Sequence, residues 1–281
     1  MKTIILLTDF SENAEHAAAC ALMLTVKTNA ELILFHAYPD ILSMPYYTSV
    51  PRYGEDPDRW RRQSERDLES LRSRLETRCL EQGQNIPVIS LHLFEGDLGS
   101  GLVAIQKQKS INFVVMGPRT DCAISRFFNG SETRDVIDGT ICPVWIVPPK
   151  APLRDIHKLI LATDFDAHEL KALHALIRVC KIFQAQLEVV HVTLNGDNDA
   201  GRERTFLKQL NKIKSPLISY KEIRGRQLVN RLNRICRQTG ADALAVLHHR
   251  QTFLNRLFHH STINEALTNQ KVPLLVLPIE T

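Results

Sequence analysis

No run of apolar residues in this sequence approaches the roughly 20 needed to cross a bilayer, so no membrane-spanning helix and no membrane partner are expected. The opening stretch, MKTIILLTDF, offers four consecutive aliphatics before Thr8 and Asp9, too few for the core of a secretory leader. Charge of one sign is scarce too. A net +4 from 35 basic and 31 acidic residues in 281 gives a mild bias toward anionic ligands, far from the basic stripe of a nucleic-acid binder. The six cysteines, Cys20, Cys79, Cys122, Cys142, Cys180 and Cys236, never form C-x-x-C. Several sit in apolar helical patterns, which points to reduced core thiols and a cytoplasmic location. G-x4-G-K-[ST], G-x-S-x-G and H-E-x-x-H are all missing. Without a P-loop lysine or a placed base, fast phosphoryl transfer is not expected, and enzyme activity is at most weak ATP hydrolysis.

What is present is said nearly twice. KTIILLTDFSENAEHAAACALMLTVKTNAELILFHAYP (2–39) is echoed by HKLILATDFDAHELKALHALIRVCKIFQAQLEVVHVTL (157–194). An offset of 155 carries Thr8, Asp9 and Phe10 onto Thr163, Asp164 and Phe165, and His36 onto His191. CPVWIVP (142–148) is echoed by VPLLVLP (272–278). A period this long marks a duplicated domain, not a solenoid unit. The prolines of PPKAPLRD (148–155) favour an extended connector, which divides the chain into domains 1–150 and 151–281.

Within each half, short apolar runs of strand length alternate with helical patterns. Five strands in each half, separated by helices, predict an α/β protein. The expected architecture is two doubly wound five-stranded parallel sheets with helices on both faces. With strand order 3-2-1-4-5, ligands would bind beyond the carboxyl ends of strands one and four, where the order reverses. Asp9 ends strand one there and Gly117 ends strand four. Gly130 permits close approach of the backbone, and Ser131 stands where a helix begins. Helix-start amides and the helix dipole favour an anion by about 0.3–1 kcal/mol when exposed. The competing expectation is that Ser131 and Asp9 simply cap their helices.

With those residues in place, the chain resembles a tandem universal stress protein over essentially its full length. The resemblance rests on the first-strand aspartates (Asp9, Asp164), the pairs ending strand two (His36-Ala37, His191-Val192), and Gly96-Asp97 after strand three. It implies the 3-2-1-4-5 sheet and an intrachain pseudo-dimer in which 144–147 pairs with 274–277. Nucleotide-binding members carry G-x2-G-x9-G-[ST] after strand four, and their first-strand Asp and the backbone after strand two contact adenine. In the first half Gly117, Gly130 and Ser131 match, while Thr120 replaces the second glycine. Pro118 removes an amide donor, and Arg119 brings a cation able to fork onto phosphate. The implied nucleotide-binding set is Asp9, Ala37, Met116, Gly117, Arg119, Thr120, Gly130, Ser131 and Glu132. The implied cofactor is ATP or a related adenine nucleotide, in the first half only, with Mg as its companion.

The second half has no glycines in VLHHRQTFLNRLFHHS (246–261). Its crevice would be built from Asp164, Val192, His248, Arg250, His260 and Ser261, with His248 and His260 standing about where the glycines fall. The pairs His248-His249 and His259-His260 invite zinc, but adjacent histidines point apart and no Cys or carboxylate stands at ligand spacing. A polar or anion-binding rim is expected instead, and no metal. The 41–60 segment holds three tyrosines, three prolines and a tryptophan, as a lid or packing element would. The run WRRQSER (60–66) reads as a solvated helix face. Three functions remain open: a nucleotide-binding stress-response protein signalling through conformation or a protein partner, a scaffold or sensor with both cradles degenerate, and a slow ATPase. A homodimer of the tandem chain is a further expected partner.

Overall fold

The structure is a computed structural model. It describes residues 2–38, 58–118, 131–166, 169–193, 200–213, 215–225, 228–248 and 272–278, except the side chains at 131, 132, 134, 170, 171, 229 and 248. The 41–57 part of the expected lid therefore lies outside the described residues. The first half runs β1 (Thr3–Leu7), α1 (Glu12–Thr28), β2 (Glu31–Tyr38), α2 (Asp58–Glu81), β3 (Ile89–Glu95), α3 (Leu98–Gln108), β4 (Phe113–Met116), α4 (Ser131–Gly139) and β5 (Val144–Ile146). The second half follows with β6 (Lys158–Thr163), α5 (Glu169–Phe183), β7 (Gln186–Thr193), α6 (Ala200–Lys212), β8 (Ile218–Arg224), α7 (Leu228–Thr239), β9 (Ala243–His248) and β10 (Leu274–Pro278).

These strands make one sheet where the sequence suggests two. Its order is β3-β2-β1-β4-β5-β10-β9-β6-β7-β8, which reads the same from either end. The described pairings are parallel except at the centre, where β5 and β10 run antiparallel, with Leu274 opposite Ile146, Leu275 opposite Trp145 and Val276 opposite Val144. The physical reason for a single sheet is that each β5-type strand would otherwise leave an apolar edge of unpaired amides and carbonyls. Pairing the two removes both.

Strand residues alternate between two cores, one on each face. Ile4, Leu6 and Leu32 face α1, α2, α5 and α6, whereas Ile5, Leu7 and Ile33 face α3, α4 and α7. Each core contains residues of both halves, so both hydrophobic interiors run continuously through the junction at β5 and β10. Helix α2 shows how the patterning works: Ser64, Leu68, Leu71, Leu75 and Cys79 recur at three- and four-residue spacing and are buried, while Arg61 and Glu65 pair on the wet side at 3.0 Å. Trp60, at its start, is exposed. All five described cysteines are buried and free. Burial pushes the Cys20, Cys180 and Cys236 thiols up to about 12 and Cys142 to about 11, which keeps them protonated and unreactive.

Candidate functional site

The crevice at the switch point begins where β1 ends. His36 on β2 bonds through Nδ1 to the Thr8 carbonyl at 2.8 Å. Because a carbonyl only accepts, that nitrogen carries the proton. The Thr8 hydroxyl accepts the Phe10 amide at 3.1 Å, and Phe10 sits at φ +62°, its ring 4.5 Å from that of His36. A left-handed phenylalanine costs about 1–2 kcal/mol, so the turn is held open by its bonds. Asp9 Oδ1 accepts both the amide (3.1 Å) and the hydroxyl (2.7 Å) of Ser11, whose Oγ in turn accepts the Ala14 amide at the start of α1. Asp9 thus braces the helix cap from outside, and Ser11 is the cap itself.

Across the crevice, Gly117 has a role that motif spacing does not reveal. A Cβ placed on it would lie 2.4 Å from the Asn13 carbonyl oxygen, so the glycine lets the end of β4 press against the first turn of α1. The Asn13 amide then donates to the Pro118 carbonyl at 2.8 Å, buried, and pins the start of the strand-four loop. Met116 is buried beneath, and Ala37 lies half-buried at the end of β2. Asp9, Ala37, Met116 and Gly117 are thus gathered at one end of the sheet, at the ends of β1, β2 and β4. Ser131 and Glu132 open α4. Arg119, Thr120 and Gly130 lie outside the described residues.

The second half repeats the turn and changes what surrounds it. His191 Nδ1 bonds the Thr163 carbonyl at 2.9 Å, Phe165 stands at φ +61°, and its ring stacks 4.1 Å from His191. Two other bonds recur. Thr3 gives its amide to Asn112 Oδ1 at 2.9 Å and Lys158 gives its amide to Asp242 Oδ2 at 2.9 Å. The Gly96 and Gly225 amides donate to the carbonyls of Tyr38 and Thr193. At the crevice, however, the buried Glu169 takes the Asp164 amide at 3.1 Å and the Thr163 hydroxyl. Asp164 Oδ1 is left buried without a hydrogen-bond partner among the described residues. Desolvation holds the Glu169 carboxyl well above the usual range despite the Thr163 hydrogen bond, and the nearby Asp164 charge pushes the same way.

Strand register corrects one expectation. Val115 pairs with Leu6 of β1, and Ala245 with Leu161 of β6. Counting on, Leu247 stands where Gly117 stands, and His248 where Pro118 does. Leu247 is buried, so an isobutyl group stands where the first half has no room for even a Cβ. Val192 is buried at the end of β7. The His248 side chain, Arg250, His260 and Ser261 lie outside the described residues. Among the described residues no cluster of three or more His, Cys, Asp or Glu side chains could hold a metal ion.

A doubly wound α/β protein with a crevice at its topological switch point is the class this geometry defines. Residues 1–148 match the universal stress protein family, just over half of the chain, and the chain belongs to that family. A curated relative, the universal stress protein in the QAH/OAS sulfhydrylase 3' region of Thermus aquaticus, is 28% identical over 149 residues, covering 52% of this chain and 98% of that protein. Among solved structures, a universal stress protein from Archaeoglobus fulgidus DSM 4304 is similar over 99% of this chain and 96% of its own, at 16% identity and a TM-score of 0.67. A putative universal stress protein from Pseudomonas aeruginosa UCBPP-PA14 covers 99% and 93%, at 14% identity and a TM-score of 0.57. These likenesses extend the fold, and the fold alone, over the whole length. No helix among the described residues is long and apolar enough to cross a membrane.

Proposed function

We propose that the chain is a tandem pair of universal stress domains, 1–150 and 151–281, forming an intrachain pseudo-dimer. The first-half crevice binds an adenine nucleotide, ATP or a relative, with Mg as its companion. The bound state acts in the cytoplasm by altering the crevice and the surface a protein partner reads. Turnover is not required.

The observation that carries this reading is the contrast between two turns of the same shape. Both halves keep the Thr-Asp-Phe turn braced by histidine, yet only the first keeps the glycine that brings β4 against α1. In the second, Glu169 occupies the Asp164 amide and Leu247 fills the glycine position. A single nucleotide per chain is therefore expected. Arg119 supplies a phosphate partner where Thr120 departs from glycine.

Calorimetric titration with ATP tests it. One site per chain, weakened at least about tenfold by Asp9→Ala and unchanged by Asp164→Ala, is the expected result, tenfold being about 1.4 kcal/mol. Absence of heat at about 1 mM ATP, where a Kd of that order corresponds to about −4.1 kcal/mol, would transfer the function to a nucleotide-independent scaffold.

A further inference from the structure

The palindromic strand order sets two grooves in equivalent places, and among the described residues only one of them is filled. The filled groove lies between α1 and the turn that ends in Asp242, and the 148–157 connector runs through it. Its Ala151 carbonyl meets His16 Nε2 at 2.8 Å, Asp155 meets Lys27 at 3.0 Å, and Arg154 meets Asp242 at 2.6 Å and the Gly240 carbonyl at 3.2 Å. Ala151 and Ile156 are buried there.

The equivalent groove lies between α5 and the turn that ends in Asn112, which bonds Thr3 just as Asp242 bonds Lys158. It is an open cavity of about 320 Å³, walled by Ala172, Ala175, Arg178 and Ile182 of α5, by 111–113 and 141–143, and by the end of β10. Ile141, on its wall, is 72% exposed, an apolar group of the kind that marks docking surfaces when it adjoins others.

The two grooves occupy equivalent places and differ in charge. By the 155-residue offset that relates α1 to α5, Met23 becomes Arg178 and Lys27 becomes Ile182. By strand register, Asp242 becomes Asn112. The open groove has therefore lost the carboxylate that receives Arg154 and gained a guanidinium. Arg178 is exposed and has no hydrogen bond or ion pair among the described residues.

We infer that the groove between α5 and the 111–113 and 141–143 segments docks an extended, apolar, acidic segment of a partner protein. The occupant lies as the connector lies in the filled groove, with a carboxylate on Arg178 and apolar side chains over Ala175 and Ile182. This goes beyond nucleotide binding and uses a different part of the sheet, the meeting of the two halves. It rests on the duplicated-half reading for the equivalence of the two grooves and for the choice of an extended segment as occupant.

Two labelled nonapeptides test it by fluorescence polarisation against the full chain: the connector sequence PKAPLRDIH, and an acidic counterpart, PKAPLEDIH. The acidic peptide is expected to bind the more tightly. Arg178→Glu should weaken it about fivefold, the worth of an exposed ion pair, and Ala175→Trp should abolish binding by filling the groove. The two substitutions fall on separate residues and leave ATP titration unaffected, so failure here is distinguishable from failure of the nucleotide reading. Equal binding of both peptides, or binding unaltered by either substitution, overturns the inference. So does binding only after the chain is shortened to end at Pro278, which would make its own last residues the occupant. Concentration-dependent dimerisation abolished by Ala175→Trp would assign the groove to a second copy and overturn it as well.

Discussion

Gly117 and Asn13 meet backbone to backbone: a Cβ on the glycine would stand 2.4 Å from the asparagine's carbonyl oxygen. A real side chain there forces β4 and α1 apart, and with them the two walls of the crevice. Gly117→Ala is expected to cost about 1–3 kcal/mol, the usual penalty of overpacking, read as a lowered urea midpoint at unchanged slope. Asn13→Ala, which strands the buried Pro118 carbonyl, should fall in a similar range. Unchanged stability in Gly117→Ala would mean that the close approach is not maintained in solution.

Glu169 makes a prediction about pH. Its carboxyl is raised by burial and by the Asp164 charge, whereas in the unfolded chain it ionises near about 4.3. A raised folded value is neutral to stability below the unfolded value and destabilises as pH climbs above it, because only the unfolded chain gains by losing the proton. Glu169→Gln keeps an oxygen for the Asp164 amide and removes the titration. The variant's melting temperature should match wild type near pH 4 and exceed it progressively toward pH 7. A deficit that grows toward pH 7 would show instead that the carboxylate's own hydrogen bonds outweigh its desolvation.

Trp145 lies at the middle of the antiparallel pair, opposite Leu275 and 1% exposed, with Phe113 packed edge-on at 6.4 Å. Trp145→Ala should cost about 3–5 kcal/mol. Since both cores are shared, the two halves are also expected to unfold together. In a Trp60→Phe background, Trp145 fluorescence and far-ultraviolet circular dichroism should give coincident urea curves. Two separated transitions would show that the halves fold as independent bodies.

The repeated Thr-Asp-Phe and the alternation of periods were legible because they depend on local patterns, whereas the meeting of β5 and β10 was expected only from the family resemblance. Apolar runs of strand length and helical spacing survive without knowledge of neighbours. What escaped was set by tertiary register. The first strands of the two halves are 155 residues apart, but the fourth strands, Phe113 against Ala243, are 130 apart. With no glycine in 246–261 to anchor the comparison, His248 took the place that belongs to Leu247. Glu169 carries no signal of its own, since nothing in HELK tells that its carboxyl folds back to take the Asp164 amide. Asn13 gave no signal, because a lone asparagine early in a helix is unremarkable until its partner is seen.

The connector that crosses the first groove also changes how the molecule responds to dilution. Two separate chains joined through their fifth strands would come apart as they grow scarce, for the stability of a dimer depends on how much of it there is. Here 148–157 ties β5 to the half that supplies β10, and a short tether keeps such surfaces at an effective concentration on the order of millimolar. The central pair persists at any abundance in the cell, so each half always has the same neighbour. Under that arrangement one crevice can drift in sequence without the other losing its structural support.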